Sequence, residues 1–565
     1  MKRKHLTLML FLFFGIVGCK KLDNGQLPDN TVLQKTVVSN PKNPYSVTNV
    51  RKAFAKILMD DIQLINNNSA KYAKGKIMFS NGVNKLAITK TMTAEESMYL
   101  AENGINATHY YIKFKPRNDA EYEKLVVDSS LMIYPFPLDN EISPYSGNYR
   151  DDNLPLGVPT YQYSAVPINY PLPDVPYEKL EDLCLPDELN NSMVTVNGAG
   201  GASFSVDARS LIDVSMCVVN TRNEMFLLQD CEGNGGGGGG GGGGYIPVDP
   251  YKRGNEWRPN GRITVEDEVK GQVIGVQGIK VRARRWFTTY TGITDADGYY
   301  AVNGWFTRPA NYWLNFERYE FSVIDDTRPM GKTREISGPK VKASWNVQFT
   351  GYDKFCSAVF RAAFHYYYKD IQGLRTPPQN AFWKTQMKLR ARYYPDSNDP
   401  ISGGNALPIR RLFRVGEFIH IYYPNNSTTQ TVFATTIHEL GHAVHWLIDK
   451  DRYNQNDNAT VKLADSWARG VQWYITKMEY PYYYGGHSSS MYTNVVIDLI
   501  DDYGDFTNNG FSDRKDLVSG YTIVQIQNAL LGAKNLNDLK YNLKNMYENP
   551  TEQHLDALFD AWLNF

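Results

Sequence analysis

An excess of charge of either sign is missing from this 565-residue chain: 60 Lys and Arg stand against 60 Asp and Glu. A balanced chain has no bulk basic field, which excludes nucleic acid as a partner held by net charge. Cysteine is scarce, five in all. Cys19, Cys184, Cys217, Cys231 and Cys356 include no Cys-x-x-Cys pair, which excludes a cysteine-rich zinc site and a thioredoxin-type redox centre. With Cys19 set aside, the other four allow three disulfide pairings, and spacing does not choose among them. Long apolar runs are absent after the N-terminus, so no later segment reads as transmembrane. What is present suffices to fold: 42% hydrophobic and 13% aromatic residues against 21% charged, a composition that builds packed cores. At ~150 residues per domain, the length predicts roughly three to four domains.

Lys2, Arg3 and Lys4 precede the apolar run Leu6 to Phe14, and Ile16-Val17-Gly18-Cys19 follows. A basic start, a short apolar run and a small residue read as a secretory signal. The run is shorter than the ~20 residues that span a bilayer, and Gly18 before Cys19 resembles a bacterial lipobox. That resemblance implies a signal peptide at 1–18, lipidation of Cys19, and a tether over 19–45. The mature protein is then expected in the bacterial cell envelope, anchored outside the cytoplasm at the outer membrane or cell surface.

Ten consecutive glycines, Gly235 to Gly244, cannot pack, and they mark a linker over 231–248. Before it, 46–230 reads as an α+β or mostly β domain, taken as α+β. Val50 to Ile65 has helical spacing, His109 to Phe114 alternates as a strand, Asn118 to Val127 is helical, and Leu131 to Phe136 is strand-like. No metal spacing, nucleophile constellation or phosphate loop lies in it, so its role is unassigned. After the linker, Gly261 to Val265, Gly278 to Ala283 and Tyr290 to Val302 give short strands between Gly and Asp turns, a β-sandwich over 249–350. Within it, Thr294-Asp295-Ala296-Asp297-Gly298-Tyr299-Tyr300-Ala301-Val302 resembles the turn-and-strand signature of carboxypeptidase regulatory-like domains, which are transthyretin-like sandwiches. Asp295 and Asp297 before Gly298 read as a turn, because the closing Glu of a calcium loop is missing.

The segment that carries chemistry runs from Ser427 to Trp446. Ser427 with Gln430 matches a capping box, and Phe433, Ile437, Leu440, Val444 and Leu447 recur at helical steps, predicting one apolar face of a buried helix. His438 and His442 are then one turn apart on a common face, where a single Zn²⁺ can take both nitrogens. Glu439 sits beside them and can act as general base toward water activated by the metal. With 9 His and 60 acidic residues in 565, His-acid-x-x-His is expected by chance only roughly 0.015 times. Gly441, unfavourable by ~1 kcal/mol inside a helix, signals close approach of another element. His445 leans off the shared face and reads as packing rather than a ligand.

A catalytic zinc site needs a third protein ligand, and Asp465 on a second predicted helix, Leu463 to Ile475, is the candidate; Glu479 and His487 come next. His438-Glu439-x-x-His442 followed by a carboxylate-x-x-Ala on a second helix resembles the gluzincin metallopeptidases. The resemblance covers roughly 355–565 and implies an α+β zincin-like domain, assigned to 351–565, with His438, His442 and a downstream acid on zinc and Glu439 as base. Two departures stand out: the third ligand is Asp rather than Glu, and Arg469 occupies the place where several such families keep an acid that orients a zinc histidine. Around the motif, Cys356 to Leu374 predicts a helix, and Met387 to Tyr394 and Glu417 to Tyr423 predict strands. Phe418-Ile419-His420-Ile421 is the candidate edge for an extended peptide. The phenol-rich stretch Tyr480 to Tyr484, with Met491-Tyr492, can supply an oxyanion donor, and Tyr521 to Leu531 with Leu555 to Trp562 predicts a helical cap.

Together these readings predict a multidomain, lipid-anchored zinc endopeptidase acting on a protein, peptide or glycoprotein substrate. The rival classes are a surface adhesion or glycan-binding lipoprotein with a non-catalytic peptidase-like domain, and a metal-dependent amidase.

Overall fold

All five residues of Phe321–Asp325 are buried, and a strand buried on both faces is the pattern of a parallel sheet covered on both sides. The computed structural model of the chain supplies that setting. It describes residues 43–53, 105–128, 130–139, 151, 153–155, 158–185, 193–197, 203–207, 215, 256–325, 332–379, 386–393, 419–423, 427–453, 457–485, 490–501 and 517–564. Cys19, the glycine run, Phe418, His487 and residues 54–65 of the expected 50–65 helix lie outside the described residues, as do Cys217 and Cys231. The fold is mixed, with helices and several sheets, most of them antiparallel.

The N-terminal part holds β1 (His109–Phe114), α1 (Asp119–Val127), β2 (Gln162–Pro167) and β3 (Tyr177–Leu183), in an antiparallel sheet of order β2-β1-β3. Asn118 caps α1, its side chain accepting from the Glu121 amide at 2.9 Å. The strand expected over Leu131 to Phe136 does not form. Only Tyr134 makes an isolated bridge, to Tyr163, because Pro135 and Pro137 bring no N–H to a ladder. A separate hairpin pairs β4 (Met193–Asn197) with β5 (Ser203–Asp207).

Next come β6 (Asn260–Asp267), β7 (Gln272–Gly275), β8 (Lys280–Arg285), β9 (Thr288–Ile293), β10 (Tyr299–Ala301), β11 (Ala310–Asn315), β12 (Phe321–Asp325), β13 (Glu335–Val341) and β14 (Val347–Phe349). One sheet has the order β10-β6-β14 with β7 also on β6; a second runs β13-β11-β8-β9. Between β9 and β10, the Asp295 carboxylate accepts from the amides of Asp297 and Tyr299 at 3.0 and 2.8 Å. Gly298 turns there at φ +82°, where a Cβ would lie 2.1 Å from the Ile263 carbonyl oxygen. The aspartate therefore serves the turn. On β11, Tyr312 and Leu314 point into the core shared by the two sheets, and Trp313 faces the N-terminal part, stacked on Phe136 at 5.2 Å.

The remaining elements are α2 (Gly351–Tyr368), β15 (Met387–Tyr393), β16 (Ile419–Tyr423), α3 (Thr429–Ile448), α4 (Lys450–Tyr453), α5 (Asn458–Glu479), α6 (Val495–Asp498), α7 (Ile523–Ala529), α8 (Leu536–Met546) and α9 (Leu555–Leu563). The expected helix to Leu374 stops at Tyr368; Gln372 and Gly373 turn at positive φ. β12, β15 and β16 form a parallel sheet in that order. β12 lies before the expected boundary at 350 and both its partners lie after it. One hydrophobic core runs across that position, from Ile263 through Phe360 and Leu440 to Trp562. Cys184 and Cys356 are free thiols. Among the described residues, no helix is long and apolar enough to cross a membrane.

Candidate functional site

α3 begins one residue later than the capping-box spacing predicts. Thr428, not Ser427, is the N-cap, its hydroxyl accepting from the Thr431 amide at 3.1 Å. Glu268, in the β6–β7 turn, accepts from the Thr429 amide, placing an acid at the positive end of the helix. The predicted apolar face is buried at Phe433, Ile437, Leu440 and Val444, each at most 1% exposed, while Leu447 at its end is only half-buried. Gly441 meets α5, where an added Cβ would be 3.2 Å from Ala468 Cα, and the Trp467 indole N–H donates to the Gly441 carbonyl at 3.2 Å. That contact is the close approach the glycine signalled, and it brings the residues of α5 against those of α3.

The consequence is a convergence of three donor atoms. His442 Nε2 lies 3.1 Å from His438 Nε2 and 3.0 Å from Asp465 Oδ1. One donor atom each from His438, His442 and Asp465 all fall within 4.8 Å of one another. Donors at ~2.0–2.1 Å from a tetrahedral ion stand roughly 3.3 Å apart; the two pairs through His442 are close to that, and the N,N,O set is one that could hold a divalent metal ion. Burial, then the charges of His442 and Arg469, push His438 well below the usual imidazole range, which keeps a nitrogen lone pair available for a cation. Glu439 is 2% exposed beside them.

Neutral groups hold the imidazoles from outside. The Tyr453 hydroxyl is 3.3 Å from His442 Nδ1, and Gln472 hydrogen-bonds His438 while its amide nitrogen donates to the Tyr483 hydroxyl at 2.9 Å. Nothing in the sequence pattern announces Tyr453 or Gln472. Arg469, one turn beyond Asp465, donates through Nε to Asn494 Oδ1 at 2.6 Å, and Ser466 Oγ lies 2.7 Å from Thr493 Oγ1. α5 thus fixes the segment that delivers Tyr492, whose ring centroid is 5.9 Å from that of His438. Burial first, then the negative charges of Asp465 and Glu439, push its phenol up to about 12, so at neutral pH it is an O–H donor at the edge of the site.

His445 does not join the cluster. It is 1% exposed, its ring 5.1 Å from that of Tyr453, and burial with the His442 charge pushes it down to about 3. Glu479 is engaged elsewhere, 2.9 Å from Arg361 and 2.6 Å from Lys270. Burial raises its carboxyl, but His365, Arg361, Lys270 and Lys369 together hold it below the usual range. Tyr480 donates to Asp267 at 2.7 Å and Tyr482 is fully exposed. Of the candidate edge, Ile419 to Ile421 lie in β16, the strand that precedes α3 and packs on it.

Searches against protein-family models, curated proteins and solved structures find no match to the chain.

Proposed function

We propose that the protein is a zinc-dependent metallopeptidase, anchored by lipid at Cys19 on the extracytoplasmic side of a bacterial envelope membrane and hydrolysing peptide bonds of a protein substrate. On this reading 351–565 is the zincin-like domain and 249–350 the regulatory-like sandwich, the two built on one core. The observation that carries it is the meeting of His438, His442 and Asp465 from two helices, with His442 Nε2 close to both His438 Nε2 and Asp465 Oδ1 and Glu439 buried beside them. Zinc held there supplies a Lewis acid that polarises the scissile carbonyl and makes water a nucleophile at neutral pH. Glu439 takes a proton from the attacking water and returns it to the leaving amine. Tyr492 donates its phenolic proton as a hydrogen bond to the carbonyl oxygen as negative charge builds there. Tyr453 and Gln472 hold the two imidazoles in place.

The test is the zinc content of a soluble chain beginning after Cys19, beside His442→Ala and Asp465→Ala. About one zinc per wild-type chain, lost in both variants, supports the site. Glu439→Gln is expected to keep zinc and lose hydrolysis by ~10²–10⁴-fold. Tyr492→Phe is expected to lower kcat by ~10²–10³-fold with a smaller change in KM. A metal-free wild type prepared without chelators would move the binding-lipoprotein reading to first place.

A further inference from the structure

Arg469 lies on α5 between Asp465 and Gln472, one turn from each, on the helix face that serves the donor triangle. It is 7% exposed, yet among the described residues no carboxylate pairs with it. Asp465 turns to His442 instead, 3.0 Å away, and the side chains whose charge bears on the guanidinium are two phenols, Tyr483 and Tyr492. Burial accordingly pulls the guanidinium below its ordinary range. Removing a charge from water without pairing it is strongly unfavourable, so the opposite charge is to be sought outside the chain. The other cations of α5 are engaged elsewhere: Lys462 donates to the Trp562 carbonyl at 2.7 Å, and Lys477 lies over the Trp473 ring at 4.6 Å.

The three nitrogens of the guanidinium differ. Nε donates to Asn494 Oδ1 at 2.6 Å, and Nη2 is sealed without a partner. Nη1 is neither hydrogen-bonded nor sealed, so the open edge of the group is there. Asn494 is 1% exposed, which fixes the orientation of that edge. Its place is beside the chemistry. The charge of Arg469 is felt at the His438 imidazole and at the Tyr492 phenol, whose rings are 5.9 Å apart, and Tyr492 is 41% exposed at the rim. Asp465 and Glu439 are the acids of the centre, so a zinc dication together with this guanidinium leaves one positive charge uncompensated. A carboxylate is the anion that a peptide brings, and it accepts a charge-assisted hydrogen bond from a guanidinium nitrogen. We propose that Arg469 makes the site selective for peptides that carry a carboxylate beside the scissile bond, the carboxylate accepting from Nη1. This rests on the zinc-peptidase reading and narrows it to acidic substrates. The carboxylate belongs either to an Asp or Glu side chain or to a free C-terminus, and the test separates the two.

The test uses the whole mature chain loaded with zinc and two libraries of short peptides, with cleavage read by mass spectrometry. In the first library both ends are blocked by acetyl and amide groups; in the second the C-terminus is free. Cuts next to Asp or Glu in the blocked library are expected to exceed those next to Asn or Gln by about tenfold or more, the worth of one hydrogen bond to a charged group. A preference confined to the second library assigns the carboxylate to the chain end. Calorimetry on the Glu439→Gln chain reads the same ratio without turnover, from matched pairs that differ only as Glu against Gln or as acid against amide at the C-terminus. Arg469→Gln is expected to bring that ratio close to one, and Arg469→Lys to retain part of it. Loss of the Asn494 bond alone weakens acidic and neutral peptides alike and leaves the ratio unchanged, and that result overturns the proposal. So does a zinc-bound wild type that cuts or binds neutral peptides as readily as acidic ones, a result that stands even where Arg469→Gln does not fold. A chain that holds no zinc and cuts nothing overturns the peptidase reading, and this proposal with it.

Discussion

Gly441→Ala tests whether the contact between α3 and α5 sets the geometry of the donor triangle. The new methyl would sit 3.2 Å from Ala468 Cα and 3.4 Å from Val471 Cβ, inside the ~3.5–4.0 Å of ordinary carbon contacts. The helices must then part by several tenths of an ångström. Replacing glycine inside a helix favours the variant by ~1 kcal/mol, and overpacking opposes it by ~1–3 kcal/mol, so the metal-free protein should lose roughly 0–2 kcal/mol. The histidines ride on α3 and Asp465 on α5, so the same displacement widens the 3.0 Å separation of His442 Nε2 and Asp465 Oδ1. Zinc affinity, measured by competition with a chromophoric chelator, should fall by about tenfold or more, the lower end of what supporting-shell changes do. Thermal melts of the metal-free chain read the stability arm. A variant that is more stable than wild type and binds zinc equally well would refute the reasoning, because the interface would then have yielded without moving Asp465.

Tyr453→Phe removes the hydroxyl facing His442 Nδ1 and should weaken zinc binding by ~10–100-fold with little change in melting, measured in the same competition assay. Arg361→Met strips the cation from buried Asp267 and from Glu479 and should destabilise the fold by ~3–5 kcal/mol, read by denaturant unfolding. Burial holds folded His445 down at about 3, against its ordinary value of 6.5, so below pH 6.5 the unfolded chain binds the extra proton. Stability from this residue should fall by up to ~1.4 kcal/mol per pH unit as pH drops from 6.5 toward 3. His445→Leu should flatten that slope in pH-dependent melts, and an unchanged slope would assign it to other groups.

Features encoded in local periodicity were the legible ones. The apolar face of α3 is written at three- and four-residue steps, and Gly441 flagged a helix contact from its own poor propensity. Asp465 was reachable because an acid on the next helix can return to a pair of histidines one turn apart. Tyr453 and Gln472 were not, since a lone hydroxyl or amide near a ring has no spacing rule and tyrosine occurs 39 times. The strand expected at Leu131 to Phe136 failed on two prolines that alternation alone does not weigh. That one core runs across position 350 has a different origin. β12 finds its partner in β15, pairing Phe321 with Met387, and a short run far from its partner carries no mark of which segment it will join.

That pairing also orders folding. Phe321–Asp325 is covered only when Met387–Tyr393, far along the chain, docks beside it, and Ile419–Tyr423 completes the sheet. Parallel pairing over such a distance is slow and leaves transient species exposed to aggregation. Until β15 docks, an apolar strand lies bare, so the interval before that pairing forms is the one in which the folding chain is open to association with other chains.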